Sequence, residues 1–268
     1  MKTFLKPRLK STVVSVAVEI FFSASRFAAD KLVMGSTSMI DVEIQDGTAR
    51  IFLNRPEKSN ALTAELLDQL LSTLKEIEKD PQLRVAVLAG RGRAFCGGAD
   101  VNELKALTEA NAGNFVLKIH AVCEAIRGLP IPVLAQLHGA CIGAGLEIAA
   151  ACDLRIAAEG TKLAMPEVKL GIPSVVEAAL LPRLMGAGRA AWLVLTGEAI
   201  DAKRAYEWGL IEAIGGRDAV EKIVQSLLAA DRQALKMQKE LIQLWDETPL
   251  ARSISRSLEL FTEAHRNR

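Results

Sequence analysis

The sequence predicts an α/β protein with substantial parallel strand pairing and a largely helical C-terminal part. Three observations carry that expectation. Short apolar runs alternate with stretches of helical periodicity, Gly and Pro bound those runs, and helical spacing fills nearly everything from Ala199 to His265.

The elements follow in order. Val42 and Ile44, the dipeptide Asp46-Gly47, then Ala49, Ile51 and Leu53 read as a β-hairpin with one apolar face. Asn54-Arg55-Pro56-Glu57-Lys58 breaks the strand. Ala64 to Glu78 carries Leu66, Leu67, Leu70, Leu71, Leu74 and Ile77 at helical spacing. Val85-Ala86-Val87-Leu88 is a short buried strand ended by Gly90, and one helical stretch is expected over 102–128. Pro130 and Pro132 set off a further strand, Val133-Leu134-Ala135-Gln136-Leu137. The expected organisation is a leader over 1–38, a core over 39–198 and a helical subdomain over 199–268.

Composition narrows the function. The chain has 268 residues, 50% of them hydrophobic, with 33 basic and 32 acidic side chains and a net charge of +1. That is ordinary for a globular protein and excludes general disorder. The charge balance argues against nucleic acid as the main ligand, because phosphate binding needs a basic excess. Aromatic residues, at 4%, are too few for a platform that stacks bases or sugars. Cys96, Cys123, Cys141 and Cys152 show no metal-binding spacing and read as buried, reduced thiols of an intracellular protein.

Residues 1–33 begin with Lys2, Lys6, Arg8 and Lys10 and hold no acid before Glu19. A transit peptide directing the chain to a mitochondrion fits this pattern, as does an unstructured leader on a cytoplasmic protein. Glu19 splits the apolar run, which is too short to cross a membrane.

Two segments echo one another. Val87-Leu88 leads to Cys96-Gly97-Gly98-Ala99-Asp100 and a helix; Leu134 to Leu137 leads to Gly139-Ala140-Cys141-Ile142-Gly143-Ala144-Gly145 and a helix. Small residues at a helix start allow close approach to free N–H groups. One such segment reads as tight strand-to-helix packing. Two in one domain suggest a site that stabilises an anion, and neither is a phosphate motif.

Two acids stand in apolar surroundings. Glu147 lies within Ala144 to Ala151, otherwise uncharged, and Glu167 follows Pro166. Glu147 could serve as a partner for Arg155 or for a backbone N–H, and Glu167 as a helix-start carboxylate. Read together, they are a carboxylate pair with split proton affinities, suited to acid–base work on water.

At this point the residues resemble the enoyl-CoA hydratase/isomerase, or crotonase, superfamily. The resemblance runs from about Ile40 to Ala264. It rests on Leu53-Asn54-Arg55-Pro56 with Asn60-Ala61-Leu62, on Ala94 to Asp100, on Pro132 to Ala135, and on His138-Gly139-Ala140 with Gly143 to Glu147. Ala151 to Ala157, Pro166 to Gly171 and Leu195 to Glu198 complete it. It implies a crotonase-like spiral of ββα units with a C-terminal helical subdomain, assembled as trimers or dimers of trimers. The implied ligand is an acyl-CoA thioester, with no cofactor beyond the coenzyme A carried by the substrate and no metal. Two backbone N–H groups that would hold the thioester oxygen fall on Ala99 and Ala144. Glu147 would act as base toward water and Glu167 as proton donor to C2, so that retention of both acids favours hydration over double-bond isomerisation. Asn60, Ala61, Asp100 and Val101 resemble stretches that touch the CoA moiety and the acyl thioester. A non-catalytic acyl-CoA- or RNA-binding member is the alternative from another class.

One departure stands out. The Gly-rich stretch common after the second acid is here Ile172-Pro173-Ser174-Val175-Val176-Glu177-Ala178-Ala179. Val175 and Val176 should reshape the acyl pocket. Glu177 reads as a first-turn helix carboxylate; aimed inward, it would instead favour isomerase chemistry.

Overall fold

A computed structural model describes residues 38–266, so the expected leader lies outside the described residues except for Ser38. β1 (Ile40–Gln45) and β2 (Thr48–Leu53) pair antiparallel, with Ile40 opposite Leu53. Asp46 and Gly47 both take positive φ, 49° and 76°, the turn geometry whose twist suits a two-residue hairpin. α1 (Ala64–Lys79) starts at Thr63, whose side chain accepts a hydrogen bond from Leu66 N–H, and buries Leu66, Leu67, Leu70, Leu74 and Ile77. β3 (Val85–Gly90) then runs parallel to β2.

The stretch expected as one helix is two, α2 (Val101–Ala106) and α3 (Ala112–Gly128). Asn111 explains the break: its Oδ1 accepts from Thr108 N–H at 2.6 Å and its Nδ2 donates to Ala106 O at 3.2 Å. Such local bonds offer the backbone an alternative to the helix. β4 (Val133–Leu137), β5 (Ala140–Ile142), α4 (Ala144–Ala151), β6 (Leu154–Ala157) and β7 (Lys162–Ala164) follow. Two 3₁₀ turns, Glu167–Leu170 and Val176–Leu180, lead into α5 (Leu181–Met185) and α6 (Ala187–Thr196). The rest is β8 (Ile200–Asp201), α7 (Ala202–Trp208), β9 (Ala213–Ile214), α8 (Arg217–Ala229), α9 (Arg232–Glu247) and α10 (Leu250–Arg266).

One sheet has the order β1-β2-β3-β4-β6-β9, parallel from β2 onward; a smaller one has the order β5-β7-β8. Parallel bridges Leu62–Ala99 and Cys96–Cys141 continue the small sheet's layer back through the chain. Each turn therefore gives one long strand, one short extended contact and a helix, which is the ββα spiral. The centre of the main sheet is buried on both faces, which explains the unbroken apolar run of β3, whereas edge strand β1 leaves Val42 and Ile44 exposed. Leu88 joins the larger core with Leu66, Leu70 and Ile126, whereas Val85 and Val87 meet Val220 and Val224 of α8.

Both sheets cross the boundary expected at 198/199. β8 extends the small sheet, β9 extends the large one, and α8 covers the large sheet's second face. Two-residue strands carry too little alternation to be seen in sequence. α9 and α10 pack on each other as a helical pair, with α9 docked on the body. Lys239 of α9 is buried, donating to Ile126 O and Ile131 O and pairing with Asp153 at 2.8 Å. No helix among the described residues is long and apolar enough to cross a membrane.

Candidate active site

The two small-residue turns meet. Gly98 has φ +91°, and a Cβ there would lie 2.8 Å from Ile142 O and 3.9 Å from Ala144 N. Only a glycine allows the first turn to sit so close to the second. Ala99 follows it, and Ala144 is the first residue of α4; neither amide has an acceptor among the described residues. Gly143, at φ +52° and ψ −126°, supplies no side-chain cap, so the start of α4 stays open. The positive end of the helix dipole adds to these two donors. The packing explanation is correct for Gly145, where a Cβ would strike Cys96.

Both amide-bearing residues line a cavity of about 130 Å³ together with Glu147 and Glu167. Glu147 sits in the first turn of α4, a helix buried on every side, and is 5% exposed. Its Oε1 accepts from Ala178 N–H at 3.2 Å. Arg155 is not its partner: that guanidinium pairs with Glu212 at 2.5 Å and donates to Leu210 O. Glu167 opens the 3₁₀ turn after Pro166, and its Oε2 accepts from Ser174 Oγ at 2.9 Å. A Cβ on Gly143 would collide with Glu167 Oε1, so this carboxylate leans across the start of α4.

Burial, then the charge of Glu167, pushes the Glu147 carboxyl from 4.5 up to about 8; the Ala178 N–H works in the opposite direction and Glu177 adds to the rise. This has a consequence for stability. Below 4.5 the carboxyl is protonated folded and unfolded, and the burial is tolerated. Between 4.5 and 8 the unfolded chain ionises first, and stability falls as pH rises. The loss is on the order of 5 kcal/mol once pH exceeds the folded value. Glu147→Gln is therefore expected to raise the urea midpoint at about pH 9 and to leave it nearly unchanged at about pH 4.

The other expected site residues divide. Val175 lines the cavity. Asn60, Ala61, Asp100, Val101 and Glu177 do not line it. Asn60 is fully buried: its Oδ1 accepts from Arg55 N–H, and its Nδ2 faces the carbonyls of Arg91, Ala94 and Phe95. It ties the loop after β2 to the loop after β3. Asn60→Asp turns donors toward carbonyls into acceptors and is expected to cost about 3 kcal/mol or more, read as a lowered urea midpoint. Asp100 caps α2 through Asn102 N–H and pairs with Arg55 at 2.5 Å, which holds its carboxyl below the usual range. Ala61 contributes its carbonyl to the same Arg55, and Val101 is exposed on the first turn of α2. Glu177 is neither a solvated helix-start acid nor a cavity acid; it is buried against His120.

The family model described as enoyl-CoA hydratase/isomerase matches residues 43–267. The chain belongs to the enoyl-CoA hydratase/isomerase family. An enoyl-CoA isomerase/hydratase of Mycosarcoma maydis is 35% identical over 222 residues, covering 78% of this chain and 81% of its own. The crystal structure of an enoyl-CoA hydratase from Thermoplasma volcanium matches with a TM-score of 0.81 at 31% identity, covering 84% of this chain and 92% of that one. An enoyl-CoA hydratase from Bacillus anthracis matches with the same TM-score at 32% identity, covering 84% and 90%.

Within this family fold, the apolar walls escaped the sequence reading. Leu104 of α2, Leu107 just after it, and Phe115 and Ile119 of α3 line the cavity, as do Leu170 and Ile172. On α3 the wall residues share the spacing of core residues, so periodicity cannot separate the two roles. Ser174 was also missed. Its hydroxyl gains meaning only once Glu167 is seen beside it.

Proposed function

We infer that the protein is an enoyl-CoA hydratase, adding water across the double bond of a trans-2-enoyl-CoA to give a 3-hydroxyacyl-CoA. The observation that carries this reading is the placing of two carboxyl groups and two free main-chain amides around one small, apolar-walled cavity. The amides of Ala99 and Ala144 would grip the thioester oxygen. Negative charge develops there as a nucleophile adds at C3, and donors fixed in advance stabilise it without reorganising.

The two acids divide the proton work. Two close carboxyls in an apolar site do not both ionise readily, so the pair shares one proton near neutral pH. Glu147, pushed up to about 8, holds that proton at rest. A water hydrogen-bonded to both carboxyls can relay it to Glu167, leaving Glu147 ionised. Glu147 then takes a proton from the water as its oxygen attacks C3, and Glu167 delivers one to C2. Both groups end as they began, so the cycle needs no cofactor beyond the coenzyme A of the substrate.

The reading is tested by following loss of the conjugated thioester absorbance of crotonyl-CoA, with a 3-enoyl-CoA as the competing substrate. Hydration of the first without conversion of the second is expected. Isomerisation without water uptake would replace the reading with its nearest rival. Glu177, the third acid that would have favoured isomerase chemistry, is absent from the cavity lining.

Assembly into trimers belongs to the same proposal. Leu250, Ile254, Leu258 and Phe261 form an exposed apolar stripe along one face of α10. Light scattering after size exclusion is expected to give a mass of three or six chains, and disruption of that stripe by Ile254→Glu with Leu258→Glu is expected to lower it.

A further inference from the structure

Behind Glu147, outside the cavity, lies a group of ionisable side chains that the hydration chemistry leaves unused. Glu177 is 5% exposed, and its Oε1 lies 2.6 Å from Nδ1 of His120, which is 46% exposed on α3. Its Oε2 is buried with no hydrogen-bond partner among the described residues. A buried carboxylate with an orphaned oxygen is costly, and its presence asks for a reason. The backbone beside it is costly too. Val176 has φ +40°, a strained conformation for a β-branched residue. That turn sends the Glu177 side chain toward α3 and sets the next amide, Ala178 N–H, between Val175 O at 3.0 Å and Glu147 Oε1 at 3.2 Å. The anchor and the amide are thus consecutive residues on one strained turn.

We propose that Glu177, clamped by His120, is a positioning residue for Glu147, locking the turn that keeps the Ala178 amide on the Glu147 carboxyl. This rests on the reading of Glu147 as an acid–base group. The clamp adds a polar link between two elements already packed in the core: α3, which carries His120, and the 3₁₀ turn, which carries Glu177 and Ala178. The charge of Glu177 also reaches Glu147 and strengthens its hold on a proton. Other groups facing Glu177 are few. From α3 come His120, Glu124 and the thiol of Cys123, which burial and the neighbouring carboxylates push well up, keeping it neutral. From α4 comes Glu147, while Arg183 of α5 turns away to Asp246 at 3.9 Å.

The test compares the parent with His120→Ala, Glu177→Ala and Glu177→Gln. Steady-state rates with crotonyl-CoA are measured across about pH 5 to 9, and the carboxyl ¹³C signal of Glu147 is titrated in the free protein. His120→Ala and Glu177→Ala are expected to lower kcat about tenfold while KM stays within about twofold. Glu177→Gln keeps a hydrogen bond to His120 and should recover most of that loss. It removes the negative charge, so the kcat limb and the Glu147 titration should both move down by about half a pH unit or more. Unchanged kcat and an unmoved Glu147 titration in both alanine variants, whatever their melting temperatures, would overturn the proposal. So would Glu177→Gln behaving as Glu177→Ala. Should Glu177→Ala fail to fold, His120→Ala, at a half-exposed position, decides the matter. Should the parent fail to hydrate crotonyl-CoA, the functional reading falls, yet the Glu147 titration still tests the clamp without substrate.

Discussion

Glu147→Gln and Glu167→Gln are each expected to slow hydration of crotonyl-CoA by roughly 10²- to 10⁴-fold, the usual worth of a general acid or base. The substitutions keep size and shape, so the loss should fall on kcat with KM little changed. Because the two groups act on one proton inventory, the effects should not multiply. The double variant should be little slower than the worse single variant. The pH dependence should change as well. With Glu167 neutralised, the charge that helps to raise Glu147 is gone, and its carboxyl should titrate lower than the parent's value of about 8. Full activity in either single variant would remove that carboxyl from the mechanism.

The second large effect is expected at a backbone atom. Ala144→Pro deletes one of the two amides while keeping a residue that the first position of a helix tolerates well. Gly143 before it already lies at φ +52° and ψ −126°, which glycine alone adopts without strain. Loss of one such donor typically costs about 10²- to 10³-fold in kcat. Ala144→Gly keeps the amide and should lose far less. Circular dichroism and melting of the two variants would separate a missing donor from an unfolded helix. A proline variant that folds and turns over like the parent would show that the thioester oxygen is held elsewhere.

The sequence made some parts of this site legible and hid others for physical reasons. The α/β class, the hairpin at Asp46-Gly47 and the helix from Ala64 were readable because each has a local cause: alternating apolar runs, a turn dipeptide, a helical spacing. The amides of Ala99 and Ala144 were reachable because close backbone approach demands small residues, and those stand out in a chain of Leu, Val and Ile. Glu147 was conspicuous as a charge in a segment without others.

Hydrogen-bond partners were not legible. Asn60 and Asp100 lie in segments that resemble family motifs, and Glu177 in the stretch that departs from them. Folding instead spends their hydrogen bonds on Arg55, on three loop carbonyls and on His120. Those partners sit 5 to 57 positions away in the chain, and no local pattern reports them. Likewise β8 and β9 exist because a neighbouring strand offers them a ladder, not because their own residues demand extension.

Running the reaction in isotopically labelled water tests the central claim most directly. If Glu147 and Glu167 share one water beside a thioester held by Ala99 and Ala144, crotonyl-CoA in deuterated, ¹⁸O-enriched water must gain one ¹⁸O at C3 and one deuterium at C2 in the same turnover. Mass spectrometry and NMR of the product should find both labels together. Deuterium entering the acyl chain with no ¹⁸O at C3 would contradict the account.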